Sequence, residues 1–248
     1  NPEPLQSSSP FGERTPDLIG HKARQLARMA SVGAQVPEGW VLTSKAFLDA
    51  AARAGLPGDT DPADAAAAVV QLRLSWRTRF RLHRTLTRSA HHSFLIRSSF
   101  SAEDGADRAF PGVFTSTTWS RGEGAEALEA AVRRVWGSWW GGRAEGYRAA
   151  VAGEGGAGLP GLAVLIQARV DHRRAGFASS ADVATGARER QLVEVSVGAD
   201  TWTGSRDRLT GIVDGPDPAL VQRAADLATR AEEVLGRPAE IEWGLAAD

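Results

Sequence analysis

Residues 95–104, LIRSSFSAED, and residues 109–116, AFPGVFTS, form the stretch that decides the fold of this chain. A short apolar run ends at Arg97, and two serines, an acidic pair and a return through Gly112 follow it. The apolar run predicts a buried strand over 94–99. A guanidinium binds phosphate oxygens through paired hydrogen bonds, and small residues let backbone amides approach the same anion. The stretch therefore predicts a strand that leads into a phosphate-binding turn.

The composition limits the functions that this stretch can serve. The chain has 248 residues, 42% of them hydrophobic and 24% charged, and a formal net charge of −1. These values indicate a globular protein without the charge that attracts nucleic acid or an anionic membrane. There are no cysteines, which excludes disulfides, thiolate catalysis and cysteine-ligated zinc, and we expect a cytoplasmic protein. No apolar run approaches the roughly 20 residues of a membrane helix.

The remaining pattern predicts an α+β chain with two lobes. Residues 1–12 lack the basic and apolar pattern of a signal peptide and are expected to form a flexible leader. Residues 13–151 form the predicted first lobe, the glycine-rich segment 152–162 a linker, and 163–248 the second lobe. Helices are predicted over 17–33, 45–54, 63–86, 122–150 and 216–235, and strands over 40–43, 94–99, 114–119, 161–170, 175–180, 191–197 and 239–243.

Two residue clusters allow more than one interpretation. Six arginines make the helix near residue 80 basic, and a solvated face is favoured there over a docking surface for a partner or for nucleic acid. They are Arg73, Arg77, Arg79, Arg81, Arg84 and Arg88. Because the whole chain is neutral, we expect no nucleic-acid partner. The helix-spaced tryptophans Trp136, Trp139 and Trp140 are interpreted as core, with a stacking platform as the alternative.

Two further patterns suit phosphate chemistry but are weak alone. Lys22 follows a glycine at a predicted helix start, where amides and the helix dipole favour an anion, although most such lysines are simply exposed. Glu240 and Glu242 alternate on the last predicted strand. Alternation places both carboxylates on one face, where they can hold Mg²⁺ against phosphates, although exposed strands often alternate glutamates.

In order along the chain, four motifs resemble those of one family. The chain is similar to the nucleotide-binding domain of pyruvate phosphate dikinase, phosphoenolpyruvate synthase and rifampin phosphotransferase. GHKA at 20–23 with VPEGWVLT at 36–43 resembles the family's opening, although His21 replaces a glycine. RSS at 97–99, AED at 102–104 and FPG at 110–112 resemble its phosphate segment. QARV at 167–170 and EIEW at 240–243 resemble its adenine hinge and its Asp-Ile-Glu-Trp strand.

The resemblance spans about residues 13–245 and implies a two-lobed ATP-grasp domain, with mixed or antiparallel sheets flanked by helices and ATP between the lobes. It implies that Lys22 and Arg97 are the catalytic phosphate ligands. The other implied nucleotide contacts are Ser98, Gly112, Ser116, Gln167, Arg169, Val170 and Glu194, and the implied Mg²⁺ ligands are Glu240 and Glu242. An adenine slot needs one backbone donor and one acceptor, and an ordinary core strand with a polar end is the alternative for 167–170. Glu103 and Asp104 are expected to order the loop.

The resemblance also implies an activity. In the family, ATP phosphorylates a histidine on a separate swivelling domain, in cis or in trans, with release of AMP and phosphate. An ATP-dependent phosphotransferase, or its nucleotide-binding part, is therefore expected, with ATP and Mg²⁺ as cofactors. The alternative is a degenerate member that binds nucleotide or a partner without catalysis, because the family's Gly-Leu-Gly-Glu segment is eroded at 198–201. The sequence lacks the family's final Leu-Gln-x-Arg strand. The sequence also does not identify the final phosphate acceptor.

Overall fold

The computed structural model describes residues 2–4, 16–58, 60–100, 113–151, 159–182 and 185–246. The chain has the predicted α+β fold, with two antiparallel sheets of five strands each. It divides into two compact units, residues 1–169 and 170–248. No helix in the described ranges is both long and apolar enough to cross a membrane.

The first unit contains a sheet of strand order β1-β2-β5-β3-β4 and seven helices among its described residues. Its strands are β1 (Pro2–Pro4), β2 (Gly39–Leu42), β3 (Ser93–Phe100), β4 (Thr117–Ser120) and β5 (Leu162–Ala168). Its helices are α1 (Pro16–Ile19), α2 (His21–Ser31), α3 (Ser44–Ala54), α4 (Pro62–Val69), α5 (Trp76–Arg88), α6 (Gly124–Gly137) and α7 (Glu145–Val151).

Strand β5 is the central strand of this sheet, which differs from the predicted division of the chain. It lies between β2 and β3, with Leu165 opposite Val41 and Ala163 opposite Ser99. All seven of its residues are buried, because the strand has a neighbour on each edge and helices on both faces. The strand that was expected to begin the second lobe therefore belongs to the first unit, and the division follows Arg169 rather than segment 152–162.

The two faces of the first sheet are covered by different helices. One face packs against the larger of the two hydrophobic clusters of this unit, which we call the larger core. It includes the fully buried Trp136 and the nearly buried Trp139, so these two tryptophans are core residues as predicted. On the opposite face, Ala23 and Ala27 of α2 pack with Leu165 and its neighbours. Small residues on α2 allow a close approach of this helix to the sheet.

Helix α5 is separate from α4, although one helix was predicted over 63–86. The connection buries Leu72 and Leu74, and the Leu74 amide donates to Glu129 Oε1 at 2.6 Å. Ser75 then caps α5, with its Oγ accepting from the Thr78 amide at 3.1 Å. A tertiary contact and a new cap thus end one helix and begin the next.

The second unit is a sheet of order β10-β6-β7-β8-β9 with one helix packed on one face. Its elements are β6 (His172–Ser179), β7 (Arg190–Val197), β8 (Asp200–Asp207), β9 (Val213–Asp214), α8 (Pro218–Leu235) and β10 (Glu240–Ala246). Asp217 caps α8 and Gly236 ends it in a left-handed conformation. Val193 and Val195 alternate toward α8, so the opposite face of the sheet carries the intervening residues.

Candidate functional site

The first turn of α2 is fixed to strand β3 by one buried serine. Ser99 Oγ accepts a hydrogen bond from the Ala23 amide at 2.9 Å and donates to the Ile19 carbonyl at 2.8 Å. Ser99 has no exposed surface. One hydroxyl therefore satisfies a backbone donor at the start of α2 and the carbonyl just before it, which leaves little freedom for this turn.

Gly20, the residue between α1 and α2, makes the same junction possible. Its φ is 76° and its ψ is 165°, a combination that is almost restricted to glycine. A Cβ at this position would lie 1.6 Å from the Ser99 carbonyl oxygen. The backbone at Gly20 thus lies closer to β3 than a residue with a Cβ would allow, and this approach fixes the backbone from which the nearby Lys22 side chain starts.

Arg97 and Ser99 lie on the same face of β3, because they are two residues apart on a strand. Arg97 is half-buried and pairs in register with Leu165, a residue in the cluster beneath α2. Lys22, also half-buried, is in the first turn of α2 above this face. The structure thus brings the two predicted phosphate ligands to one side of the first sheet.

Ser98 lies on the other side of that sheet. Its neighbours Ile96 and Phe100 on the same face are fully buried in the larger core, and Ser98 itself is 3% exposed. The side chains of Arg97 and Ser98 therefore do not come together, although both were expected to contact the nucleotide. Strand alternation explains the difference, because adjacent residues point to opposite faces.

The return toward β4 is described only from residue 113 onward. Gly112, predicted to contact phosphate, lies outside the described residues, as do Glu103 and Asp104. Ser116 is exposed just before β4. Phe114 is anchored in the larger core, with its ring 4.8 Å from that of Phe100.

Two backbone amides of the predicted adenine hinge already donate hydrogen bonds within the protein. The Ala168 amide donates to the Glu38 carbonyl at 2.7 Å, and the Arg169 amide donates to the Ser93 carbonyl at 2.9 Å. Gln167 is nearly buried on β5, on the face that α2 covers. Among the described residues, the next amide, that of Val170, has no backbone acceptor. The Val170 carbonyl lies 3.2 Å from His172 Nδ1, so the open backbone donor of this segment is the Val170 amide.

In the second unit, the predicted carboxylates share one face of the sheet. Glu242 is opposite Phe177, and Phe177 is opposite Glu194, so the three residues form a row across β10, β6 and β7. Glu240 lies on the same face by alternation, and all three glutamates are exposed. Since adjacent strands are about 4.8 Å apart, the backbones at Glu194 and Glu242 are separated by about 10 Å.

Gly176 allows the strands to approach closely beside this row. A Cβ there would lie 1.8 Å from the Glu194 carbonyl oxygen and 3.1 Å from the Trp243 ring. The structural roles of Gly20, Gly176 and Ser99 were not predicted from the sequence. Gly20 occurs within the family-like motif at 20–23, which is the signal that marks it, since its close contact is with a strand distant in the sequence.

The carboxylates on this face suit a metal ion that the protein holds only in part. The described residues contain no group of three or more histidine, aspartate or glutamate side chains that could hold a metal ion. Mg²⁺ is usually held by one or two carboxylates together with substrate phosphates rather than by a protein cage. Glu240 and Glu242 thus fit an ion that arrives with a nucleotide.

The eroded glycine segment forms a tight turn. Val197 pairs with Asp200, so only Gly198 and Ala199 connect β7 to β8. Gly198 has a φ of 61°, as the favoured two-residue hairpin turns require. This connection is therefore a simple hairpin rather than a longer glycine-rich loop.

A comparison with protein families matches residues 62–216 to the family described as pyruvate phosphate dikinase, AMP/ATP-binding domain. No curated protein matches the chain. The matched range covers well over half of the chain and includes Arg97, Gln167 and Glu194, whereas Lys22 precedes it and β10 follows it. On this match, the chain belongs to the family of pyruvate phosphate dikinase AMP/ATP-binding domains.

Proposed function

We propose that this chain is the nucleotide-binding part of a dikinase-type phosphotransferase. It would bind ATP, support phosphoryl transfer to a histidine on a separate domain, and release AMP and phosphate. The observation that carries the proposal is the common placement of Lys22 and Arg97 on the face of the first sheet that α2 covers, in a chain of an ATP-binding family. A cytoplasmic location is proposed as well, since the chain has no cysteine.

In this proposal, the first unit binds the phosphates. The amides at the start of α2 and the Lys22 ammonium attract the same anion, since helix amides and the helix dipole favour negative charge there. The Arg97 guanidinium adds paired hydrogen bonds to phosphate oxygens. Phosphoryl transfer depends mainly on positioning and on stabilisation of charge, so the rigid junction of Gly20 with Ser99 contributes by fixing these cations before ATP binds.

The adenine base is assigned to the segment Gln167–Val170. Because the amides of Ala168 and Arg169 are engaged by other carbonyls, we assign the donor to the Val170 amide and the acceptor to a carbonyl beside it. Gln167 and Arg169 would then position this backbone, and their side chains would border the base.

Mg²⁺ is assigned to Glu240 and Glu242 on β10, with Glu194 on the same face of that sheet. When bound, the ion would neutralise charge on the triphosphate. The two glutamates occupy alternate positions of a paired strand, which fixes the spacing of their backbones before the ion arrives.

The proposal is tested by the effect of Mg-ATP on the melting temperature. A ligand present at 100 times its Kd stabilises the protein by about 2.7 kcal/mol, which corresponds to a rise of several degrees. We expect Arg97→Ala to abolish the rise and Arg143→Ala, at an exposed position in the same unit, to retain it. No rise in the unmodified chain, or an equal rise in Arg97→Ala, would contradict the proposal.

A second candidate is a family member that binds nucleotide without catalysis. The two-residue turn at Gly198, where the family has a longer glycine-rich segment, favours it. The two candidates differ in a product assay in which a family histidine domain is supplied in trans with Mg-ATP. AMP and a phosphohistidine adduct would establish the phosphotransferase, and tight ATP binding without either product would establish the binder.

A further inference from the structure

Helix α5 exposes two large aromatic side chains and several arginines to solvent. Trp76 is 69% exposed and Phe80 is 55% exposed, the highest values for aromatic residues among the described part of the chain. Arg77, Arg84 and Arg88 are exposed beside them. We call the surface formed by these five residues the α5 face. It uses none of the residues assigned above to ATP or Mg²⁺.

Helical geometry gathers these residues on one side. At about 100° per residue, they fall within an arc of roughly 120°, over a length of about 18 Å. The fully buried Leu82 and Leu86 lie on the opposite side and attach the helix to the larger core. The Ser75 cap holds the first turn, where Trp76 is located. The α5 face is therefore a formed surface of an anchored helix.

The α5 face has a local excess of positive charge. Helix α5 contains no acidic residue. On the neighbouring helix α6, Glu126 and Glu129 are engaged by Arg73, Arg79 and Arg133. Within the described ranges, no carboxylate lies at ion-pair distance from Arg77, Arg84 or Arg88.

The two aromatic side chains lie on the same side of α5, and one of them contacts an arginine. The Arg77 guanidinium carbon lies 5.3 Å from the centre of the Trp76 ring, which limits the motion of both side chains. Phe80 follows one turn later on the same side. Tryptophan and arginine are the residue types that most often dominate the binding energy of protein interfaces, and phenylalanine is also enriched there.

We propose that the α5 face binds a partner protein through a segment in which carboxylates surround apolar side chains. The apolar groups would cover Trp76 and Phe80, and the carboxylates would pair with the flanking arginines. A protein segment fits better than nucleic acid, because nucleic-acid affinity depends on many cations along a phosphate backbone. This face has three such arginines, and the whole chain has a net charge of −1.

The test is a selection of random peptides displayed on phage against the full chain. We expect the selected peptides to combine aspartate or glutamate with aliphatic or aromatic residues. Trp76→Ala with Phe80→Ala, and separately Arg84→Glu with Arg88→Glu, should each weaken the selected peptide at least tenfold, about 1.4 kcal/mol. Added salt should weaken binding to the unmodified chain. Arg223→Glu, an exposed arginine on α8, is the matched control and should bind normally.

Since all substituted side chains are exposed, unchanged circular dichroism and an unchanged Mg-ATP melting shift would establish that the variants fold. Selected peptides that bind both double variants normally would overturn the proposal, as would a selection without acidic peptides. A single-stranded RNA oligonucleotide that binds the unmodified chain and loses affinity in the same variants, without any acidic peptide, would also overturn it and assign the face to nucleic acid.

Discussion

Gly20→Ala is the substitution that most directly tests the junction between α2 and β3. The new methyl group would have to occupy a point 1.6 Å from the Ser99 carbonyl oxygen, which requires α2 to move. The same movement would lengthen both hydrogen bonds of the Ser99 hydroxyl. We therefore expect a loss of stability and a loss of the rise in melting temperature on addition of Mg-ATP.

The expected loss in the free energy of unfolding of Gly20→Ala has three contributions. Alanine at a backbone conformation restricted to glycine costs about 1–3 kcal/mol. Overpacking against a fixed backbone adds about 1–3 kcal/mol. The weakened hydrogen bonds of Ser99 add about 0.5–1.5 kcal/mol each. Even the lower limits sum to about 3 kcal/mol, a large fraction of the stability of a typical domain.

Gly55→Ala is the matched control. Gly55 also has a positive φ, 66°, in the same unit, but nothing lies within 4 Å of a Cβ built there. Gly55→Ala therefore measures the cost of the backbone conformation without a steric clash. We expect it to lower the free energy of unfolding by about 1 kcal/mol. Gly55→Ala should also retain the Mg-ATP effect.

The assay is thermal unfolding followed by circular dichroism, with hydrogen exchange of peptides from residues 20–31. At about 2–4 °C per kcal/mol, Gly20→Ala should lower the melting temperature by about 6 °C or more and Gly55→Ala by about 2–4 °C. Exchange should accelerate in α2 for Gly20→Ala alone. Equal losses in the two variants would refute the reasoning, because backbone conformation would then account for the whole effect.

Two further predictions concern charges. Glu129→Ala should lower the free energy of unfolding in urea by about 2–3 kcal/mol, because it removes a 1% exposed carboxylate and leaves the buried Leu74 amide without its acceptor. Glu126→Ala, which removes an exposed carboxylate that pairs with the same arginines, should have little effect, and equal losses would contradict this. The Arg174 guanidinium, with help from a backbone amide of α8, lowers the pKa of Asp217. Folding thus favours the ionised carboxylate, and its stabilisation is present above about pH 4 and is lost as the pH falls through the lowered pKa. Asp217→Ala should therefore melt at a lower temperature than the unmodified chain at pH 7, with a difference that narrows in acid, and a difference independent of pH would contradict this.

Local patterns predicted the elements of the fold well but not their pairing. The periodicity of 216–235 and the alternation of 191–197 correspond to α8 and β7 with small differences at the ends. The apolar run 161–170 was correctly expected to be a strand, but a run buried on both faces contains no information about its neighbours. Its insertion between β2 and β3 moved the division between the units to a place that glycine content does not mark.

The residues of the candidate site were also predictable from the sequence only in part. Motif resemblance indicated Lys22, Arg97, Glu194 and Glu242, and the structure places each pair of them on one face of a sheet. The resemblance did not separate Ser98 from Arg97, although strand alternation already distinguishes them. The hydrogen bonds of Ser99 depend on a helix about 80 positions earlier in the chain, and a single sequence contains no signal for that contact.

The central position of β5 also has a consequence for synthesis of the protein. β2 and β3 have no partner between them until residues 162–168 arrive, so their facing edges stay open while the intervening chain is translated. The first unit can therefore close its sheet only after its last strand has left the ribosome. A nascent chain that stalls before that point would present two unpaired edges to chaperones, and any fragment meant to fold alone has to extend past Ala168.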